Sequence, residues 1–481
     1  MKKRLVAIML VSSMMLSMAG CAKNGANADE VKKNESAAFD GKLEKNVTIH
    51  VLENDTAIEK GYFKDLIDAF NKKYKSKGIK AVDANMDQYS DLAKDGPYGY
   101  GPDVIYQAND VIMKYAQGKH VLPLPIDKIE GHDKIPNCAW KAYETKVDGK
   151  TYTCGVPVNV QAPVLYYRKD LLPEDWKEKW DKNKDNIPDM VETWKGMYDF
   201  SIQRHAEDAS KYGYMKSIND MYFSSGFLFS YGGYIFGKNN TDPTKVGLNA
   251  KESVKGAKVL NQLASVMNED CIDDTITTNA YSKLGDGTYF ATMSTPDMYS
   301  TFLSEIEKNY TGLDKKEAEE KAKENLVMTT LPTLPESGDL TADSKKEIPT
   351  KSMGGVNGYA ISSYSKAPNA SLLFVEFATK YKMIKKRAEM LGIAPARKDV
   401  ASDVGGTSQQ IYTNLDKNNI VLMPSVTAVS QIWTPGQTFF TDIAKDAFRT
   451  DADKKYKNLD DYSSGLDEMC KQISEAIKTL K

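Results

Sequence analysis

The feature that most constrains the fold is the alternation of strand-like and helix-like segments that begins at Val47. Residues 47–52 (VTIHVL) alternate and are rich in β-branched side chains, which predicts a strand. Residues 61–75 then carry apolar side chains at helical spacing, namely Phe63, Leu66, Ile67, Phe70 and Tyr74. The sequence therefore predicts an α/β fold from its first element onward.

The same alternation continues along the chain. A turn and strand are predicted at 101–106, and 152–167 holds two β-prone runs broken at Pro157 and Pro163. Later strands are predicted at 289–294, 327–331 and 358–361, and long helices at 253–267, 370–381 and 466–480. The polar stretch 336–347 predicts a loop, and no internal repeat is visible.

The N-terminus has the pattern of an export signal. Residues 2–4 are basic, and 5–18 form a mostly apolar run shorter than the roughly 20 residues of a membrane span. The run leads into Met18-Ala19-Gly20-Cys21, which resembles the bacterial lipobox. The resemblance implies that 1–20 is a lipoprotein signal peptide and that Cys21 carries acyl chains. A plain signal peptide with a chance cysteine is the alternative.

Residues 21–45 are expected to form a disordered tether. Val31, Phe39 and Leu43 are the sizeable apolar residues there, too few to bury a core. No later stretch approaches the apolar length of a membrane span. We therefore expect a body that is lipid-anchored on the extracytoplasmic face of the cell membrane, which is extracellular in a Gram-positive-type cell.

Charge and motif content exclude several classes of function. The formal net charge is -2, and no basic block interleaved with aromatics is present, which argues against a nucleic-acid partner. The sequence contains no Walker loop, nucleophile elbow, zinc-protease helix or dinucleotide fingerprint. We therefore do not expect an enzyme, although Asp110 and Asp220 leave open a glycosidase with two opposed carboxylates.

Four cysteines besides Cys21 lack metal-type or redox spacing. They are Cys138, Cys154, Cys271 and Cys470. Export permits disulfides, and four cysteines allow three connectivities. A Cys138–Cys154 bridge and four free buried thiols both remain open.

Residues 181–192 have the ligand spacing of an EF-hand loop. Positions one, three, five, seven, nine and twelve are Asp181, Asn183, Asp185, Ile187 through its carbonyl, Asp189 and Glu192. Asn186 replaces the usual glycine at position six and tolerates a left-handed backbone. The flanks are not clear EF-hand helices. The sequence therefore predicts a lone structural Ca²⁺ loop and no catalytic cofactor, with an acidic, solvated helix start as the alternative.

Several motifs occur in an order that resembles a known family. They are 101–105 (GPDVI) through Asn109-Asp110 to 115–118 (YAQG), 157–167 with 169–173 (KDLLP), 221–223 (MYF) with 232–234 (GGY), 330–333 (TLPT), 354–361 and 423–433. In this order the chain resembles the extracellular solute-binding proteins, family 1, of carbohydrate ABC importers, and within them the maltose and maltodextrin-binding proteins. The resemblance implies a two-lobed, type II periplasmic-binding-protein-like fold with an interlobe ligand cleft that closes on its ligand.

The resemblance also implies lobe boundaries and partners. The first lobe takes 46–158 and 332–388, and the second takes 162–328 and 392–481. A monomer is expected to deliver an oligosaccharide, with malto-oligosaccharide favoured, to an ABC permease. The alternatives are another neutral oligosaccharide, or a surface glycan-tethering lipoprotein that is not coupled to transport.

Seven residues are candidate ligand contacts. Asp110 follows a strand, where a carboxylate projects into the cleft and accepts from two hydroxyls, and it coincides with a sugar-binding aspartate of the family; a helix N-cap is the alternative. Trp433 falls ten residues after Met423-Pro424, where the family has a stacking tryptophan. The other five, from correspondence to family positions, are Asp55, Gln161, Asp220, Tyr222 and Tyr299.

Four positions depart from the family's pattern. Gln161 replaces an acidic residue, Val111 a basic one, Gln107 an aromatic, and Asp297 a stacking tryptophan. We expect a neutral sugar to bind nonetheless, with its length and linkage left open by these changes.

Overall fold

The computed structural model describes residues 38–147, 150–272 and 275–480. The predicted signal segment 1–20, the predicted lipidation site Cys21 and the tether up to residue 37 lie outside the described residues. Along the described chain, strands and helices alternate from the first strand onward. Among its helices, none combines the length and apolar content needed to cross a bilayer.

A seven-stranded mixed sheet is the centre of the first lobe in the described chain. Its strands in hydrogen-bonded order are Ala394–Pro395, Val156–Gln161, Ser352–Ile361, Val104–Ala108, Val47–Leu52 and Ile79–Asp83, with Ile420–Leu422 paired to Ser352–Ile361. The strand Val47–Leu52 has the predicted bounds and runs parallel to both neighbours. Because parallel strands end at one edge, the residues that follow Leu52 and Ala108 meet at that edge.

A four-stranded sheet is the centre of the second lobe. Its order is Leu326–Thr329, Val164–Arg168, Tyr289–Ser294 and Tyr212–Met215. Tyr289–Ser294 again has the predicted bounds, and all six of its residues are buried. The ends of Tyr289–Ser294 and Tyr212–Met215 lead to Asp297 and Asp220, so these two parallel strands deliver candidate residues from one edge.

Helices cover both sheets, and short hairpins complete the lobes. Helices of nine residues or more are Tyr62–Tyr74, Asn109–Gln117, Trp194–Glu207, Met221–Ser230, Ser253–Ala264, Thr275–Gly285, Tyr299–Glu307, Lys315–Asn325, Pro368–Ala378, Tyr381–Leu391, Gly406–Asp416, Trp433–Ala447 and Leu459–Lys478. Hairpins pair Glu144–Val147 with Lys150–Thr153, Tyr234–Phe236 with Asp242–Gly247, and Leu334–Pro335 with Glu347–Ile348. The predicted polar loop 336–347 connects the last of these pairs.

The last helix starts earlier than its apolar pattern predicts. The predicted start is Leu466, whereas the helix runs Leu459–Lys478. The Asn458 side chain accepts from the N–H groups of Asp460 and Asp461, and the Asp461 carboxylate accepts from the Asn458 N–H. This capping box fixes the first turn before the apolar face begins.

The described chain passes between the two sheets three times. Ala162-Pro163 joins Val156–Gln161 to Val164–Arg168, residues 330–351 lead back to Ser352–Ile361, and the chain leaves the first lobe again after Ile420–Leu422. The resemblance implies two or three such crossings, so the topology has the expected form.

Two segments pack in the lobe opposite to the one predicted. The resemblance places 392–481 in the second lobe, but Ala394–Pro395 is a strand of the first-lobe sheet, and Ile411 and Leu415 belong to that lobe's core. It places 332–388 in the first lobe, but Leu334 and Leu340 are buried in the second-lobe core. The strands concerned have two residues each, too short for a periodic pattern, so packing alone decides their lobe.

The predicted tether ends earlier than residue 45, because residues 38–44 pack on the first lobe. The Phe39 side chain is buried in its core. The Glu44 carboxylate accepts from the N–H groups of Asn369, at 3.2 Å, and Ala370, at 2.7 Å, in the first turn of Pro368–Ala378. That helix has no side-chain cap of its own, so Glu44 satisfies its free N–H groups and complements its dipole.

The four cysteines of the described chain are free thiols. Cys154, Cys271 and Cys470 are buried and Cys138 is half-buried. The structure thus has the arrangement of free thiols, and it does not contain the Cys138–Cys154 bridge.

Candidate functional site: the cleft between the lobes

A polar pocket opens where the two lobes face each other. Its wall consists of Asn54, Thr56, Tyr106, Asn159, Val160, Gln161, Pro296, Asp297, Asn357, Leu391 and Ile393. Both lobes contribute, because residues that follow the strand ends at Leu52 and Ser294 line it together. Amides and a carboxylate beside a tyrosine ring are the groups that hold hydroxyls and the apolar face of a sugar. Of the seven candidate residues, Gln161 lies in this wall.

Asp110 presents a carboxylate oxygen without a hydrogen-bond partner among the described residues. It is the second residue of the helix Asn109–Gln117, and the N-cap position belongs to Ala108, so Asp110 is not the N-cap. Its Oδ1 atom is buried and unpaired. Burial raises the pKa of Asp110, and the N–H groups of Val111 and Asp110 partly oppose that rise. An ionised oxygen in this state is ready to accept from a ligand hydroxyl.

Tyr222 approaches this region from the second lobe. It lies in the first turn of Met221–Ser230, and its hydroxyl is 3.4 Å from the backbone oxygen of Gln161. Burial raises the pKa of Tyr222, and the negative charges of Asp297, Asp220 and Asp110 raise it further. The hydroxyl is therefore a neutral donor that lies near carboxylates of both lobes.

Asp220 has a structural role in the same turn. Its side chain accepts from the Tyr222 N–H at 3.0 Å and is the N-cap of Met221–Ser230. An N-cap carboxylate fixes the start of a helix. Asp220 thus orients Tyr222, whatever further contact its remaining oxygen makes.

Gln161 links the lobes through side-chain hydrogen bonds. Its Oε1 accepts from Asn357 Nδ2 at 3.1 Å, and its Nε2 donates to Asp297 Oδ1 at 3.4 Å. Burial lowers the pKa of Lys60, and the charge of Asp297 opposes that change, so Lys60 of the first lobe faces Asp297 of the second. Asp297, which occupies the position of the family's stacking tryptophan, therefore has a carboxylate that interacts with both lobes.

Trp433 is the first residue of Trp433–Ala447 and is half-buried beside the second-lobe core. The first turn of this helix packs on the start of Met221–Ser230, because a side chain at Gly436 would overlap the Met221 sulfur. Trp433 and Tyr222 thus stand at the starts of two contacting helices. The preceding segment reaches the first lobe, where Asn109 Nδ2 donates to the Met423 carbonyl at 3.2 Å.

Asp55 and Tyr299 make contacts within their own lobes. Asp55 begins the helix Asp55–Glu59 and accepts from Gln88 Nε2 at 3.0 Å on the exposed side of the first lobe. Tyr299 begins Tyr299–Glu307, is half-buried, and its ring lies 6.5 Å from that of Tyr166. For Tyr299 the contacts are those of a residue at the edge of the core.

One aromatic near the cleft was missed from sequence. Tyr89 is 77% exposed, although a large apolar ring ordinarily seeks burial. Partial burial raises the pKa of Tyr89, and the charges of Asp55, Asp87 and Asp297 raise it further. The Tyr89 hydroxyl therefore feels carboxylates of both lobes. The sequence feature that could have indicated Tyr89 is its place as an aromatic residue in the polar loop after Ile79–Asp83.

A buried ion pair supports the pocket wall from behind. Arg387 Nη2 and Nη1 lie 2.8 and 2.9 Å from Glu53 Oε1 and Oε2, and both side chains are almost fully buried. Tyr359 donates to Glu53 Oε2 at 2.6 Å. The Arg387 guanidinium lies 4.0 Å from the ring centroid of Tyr106, whose hydroxyl bonds to Asn159 in the wall. The pair thus holds two wall residues in place.

Comparison with known proteins gives a consistent picture. Residues 65–414, well over half of the chain, match the family model described as bacterial extracellular solute-binding protein. Two curated relatives are from Bacillus subtilis. A galactooligosaccharide-binding protein is 26% identical over 92% of this chain and 93% of its own length, and a maltodextrin-binding protein is 25% identical over the same shares.

Solved structures share the two-lobed fold. A maltose-binding protein from Listeria monocytogenes, in complex with maltose, matches with a TM-score of 0.68 at 22% identity, over 90% of this chain and 98% of that one. A protein from Streptococcus pneumoniae in complex with maltopentaose matches with a TM-score of 0.66 at 19% identity, over 89% and 100%. The fold predicted from the resemblance is therefore confirmed. Together with the family match, these findings show that the chain belongs to the bacterial extracellular solute-binding protein family.

Proposed function

We propose that the chain captures a neutral oligosaccharide, with malto-oligosaccharide favoured, in the interlobe cleft and delivers it to an ABC permease. The unpaired, buried carboxylate oxygen of Asp110 is the observation that carries this proposal. A sugar hydroxyl that donates to it removes the desolvation cost of a buried acceptor. Relatives named for maltodextrin and galactooligosaccharide binding, which match almost the whole chain, support this ligand class.

The arrangement favours binding over hydrolysis. Asp220 is committed to its helix as an N-cap. A glycosidase needs a second carboxyl group that is free to protonate the leaving oxygen or to attack the sugar. Of the pair Asp110 and Asp220, one carboxylate is thus engaged in a helix cap, and the role that we propose is capture without chemistry.

The proposed location is the outer face of the cell membrane, with Cys21 carrying the lipid anchor. The lipobox-like residues 18–21 support the anchor. Relatives from Streptococcus pneumoniae, 23% identical over 80% of this chain, carry the name maltooligosaccharide ABC transporter solute-binding lipoprotein. Mass spectrometry of the N-terminal peptide is expected to find acylated Cys21, and an unmodified, released N-terminus contradicts the anchor.

Calorimetric titration tests the ligand class. The panel runs from maltose to maltoheptaose and includes galactooligosaccharides and unrelated β-linked oligosaccharides. Saturable heat is expected with α-glucans. Trp433→Ala is expected to weaken binding by about 5- to 150-fold, because stacking of a ring on a sugar contributes about 1 to 3 kcal/mol on the scale of aromatic burial.

Trp176→Ala is the matched control. Trp176 is a half-buried tryptophan in the short helix Trp176–Lys179 of the second lobe, so this variant makes the same chemical change outside the cleft. Equal losses in the two variants contradict a role for Trp433 in binding. Heat with galactooligosaccharides alone keeps the transport proposal and replaces malto-oligosaccharide as ligand, whereas slow hydrolysis of any sugar overturns the proposed capture.

The surface glycan-tethering alternative predicts the same titration. Uptake of labelled oligosaccharide by cells that lack the gene separates the two. Reduced uptake supports delivery to a permease, and unchanged uptake supports tethering.

A further inference from the structure

Residues 181–192, here called the acidic loop, hold buried carboxylates that lack partners. Asp181 is 6% exposed and Asp189 is 9% exposed. Asp181 Oδ1 and Asp189 Oδ2 have no hydrogen-bond partner among the described residues. Buried ionised oxygens are costly unless they are hydrogen-bonded or coordinate a metal ion. These two orphaned oxygens are the observation that points to a ligand.

The backbone of the acidic loop turns these carboxylates inward. Asn186 has a φ of 66°, the left-handed conformation expected at the sixth position, and its N–H donates to Asp181 Oδ2 at 3.2 Å. The Lys182 N–H donates to Asp189 Oδ1 at 3.3 Å, and the Ile187 N–H donates to Asp185 Oδ1 at 2.8 Å. One oxygen each of Asp181 and Asp189 is thus held by the loop, which leaves the other oxygen of each available.

The Asn183 side chain lies among the remaining carboxylates. Its Nδ2 atom is 3.0 Å from both oxygens of Glu192 and 3.3 Å from Asp185 Oδ2. The Asn183 Nδ2 atom is equidistant from the two Glu192 oxygens. It therefore lies where a cation would be bound by both oxygens of the carboxylate at position twelve.

The side chains of the acidic loop do not form a closed coordination sphere in this conformation. Across the described ranges, no group of three or more His, Cys, Asp or Glu side chains has metal-holding geometry. The Asn183 amide, with its nitrogen toward Glu192 and Asp185, separates the acidic side chains. Rotation of this amide by half a turn replaces the nitrogen with the carbonyl oxygen that position three of such a loop supplies.

We propose that the acidic loop binds one Ca²⁺ ion through Asp181, Asn183, Asp185, the Ile187 carbonyl, Asp189 and Glu192. Oxygen ligands from a flexible loop suit Ca²⁺, which takes six to eight of them, better than Mg²⁺, which demands a tight octahedron. The ion supplies the partner that Asp181 and Asp189 lack, and it offsets the repulsion among four carboxylates.

Calcium at this place stabilises the start of a crossing segment between the lobes. The Glu192 carbonyl accepts from the Thr333 N–H at 2.8 Å, and the Thr333 carbonyl accepts from the Trp194 N–H at 2.9 Å. The Trp194 indole also donates to Thr350 Oγ1 at 3.1 Å. The C-terminal end of the loop is therefore tied to residues 330–351, and an ordered loop resists unfolding of the second lobe.

The test uses the purified full chain after treatment with chelator and dialysis. Titration with CaCl₂ is expected to give saturable heat with one site per chain. At a free Ca²⁺ concentration about 100 times the Kd, the Tm is expected to rise by about 3–5 °C. The absence of a stoichiometric site, or an equal rise with MgCl₂ at the same concentration, overturns the proposal.

Glu192→Gln gives the distinguishing readout. Without metal this variant is expected to melt at the same temperature as the parent or higher, because one of four repelling charges is gone. Its rise with Ca²⁺ is expected to fall by more than half. Glu178→Gln, in the neighbouring helix Trp176–Lys179, is the matched control and keeps the full rise. A full Ca²⁺ response in Glu192→Gln overturns the proposal.

Discussion

Asp110→Asn is expected to weaken oligosaccharide binding by about 10- to 100-fold while it raises the free energy of unfolding at pH 7. Loss of a charged acceptor lowers affinity by about 1.5–3 kcal/mol. Stability moves the other way because burial disfavours the ionised carboxylate in the protein without ligand, as its raised pKa indicates. Titration calorimetry and thermal melts of the same two proteins measure both effects.

The pH dependence of this stability difference has a defined sign. The folded-state pKa of Asp110 is raised above the ordinary value of 3.8, so the folded protein holds the proton more tightly than the unfolded chain does. Wild-type stability relative to Asp110→Asn therefore falls as pH rises from 3.8 through the raised pKa. The two melting temperatures are expected to converge below pH 3.8 and to separate by neutral pH.

Asp68→Asn is the matched control for this prediction. Asp68 is 60% exposed and lies beside Lys64, so its carboxylate is solvated, unlike that of Asp110. It is expected to leave affinity unchanged and to show no gain in stability at pH 7. If Asp110→Asn binds sugar as the wild type does, Asp110 is not a ligand contact. If it melts below the wild type at pH 7, the carboxylate is satisfied in the protein without ligand.

Arg387→Met is expected to lower the free energy of unfolding by about 3–5 kcal/mol, because it leaves Glu53 buried without a countercharge. Tyr359 still donates to Glu53, but one hydroxyl does not replace a guanidinium. Urea denaturation followed by far-UV circular dichroism measures the loss. Oligosaccharide affinity is also expected to fall, since Tyr106 in the pocket wall loses the cation that packs on its ring.

The double variant Glu53→Gln/Arg387→Met separates the buried charge from lost packing. The uncharged glutamine can still accept from Tyr359, so most of the lost stability is expected to return. Lys64→Met, which removes one partner of the exposed Lys64–Asp68 pair, is the control and is expected to change stability little. If the double variant is as unstable as Arg387→Met, the loss of stability comes from lost packing rather than from the unpaired charge.

Local pattern predicted the elements well where their faces are regular. Val47–Leu52 and Tyr289–Ser294 have the predicted bounds because β-branched and aromatic runs between turns are unambiguous. The start of Leu459–Lys478 was wrong because its first turn depends on a cap rather than on an apolar face. Phe39 was taken for part of a tether because a lone apolar residue in a polar stretch has no periodicity to reveal its burial.

The candidate site shows the same division between local pattern and packing. Asp110, Gln161, Tyr222 and Trp433 were predicted because each lies in or beside a short motif that the chain shares with the family, and such motifs are local. Tyr89, Asn54 and Asn357 line or flank the cleft without such a motif and were missed. The Glu53–Arg387 pair behind the wall joins residues 334 positions apart, a separation at which no sequence window relates them.

By itself the sequence determined the α/β class, the family and the spacing of the acidic loop, because periodicity, motif order and ligand spacing are properties of neighbouring residues. Only the tertiary structure decided which lobe receives 334–348 and 394–416, because their strands of two residues are too short for a periodic pattern and packing alone decides their lobe. It also decided which carboxylates remain unpaired. Whether Asp110, Asp181 and Asp189 find a donor depends on distant segments, and those segments leave an oxygen of each one free.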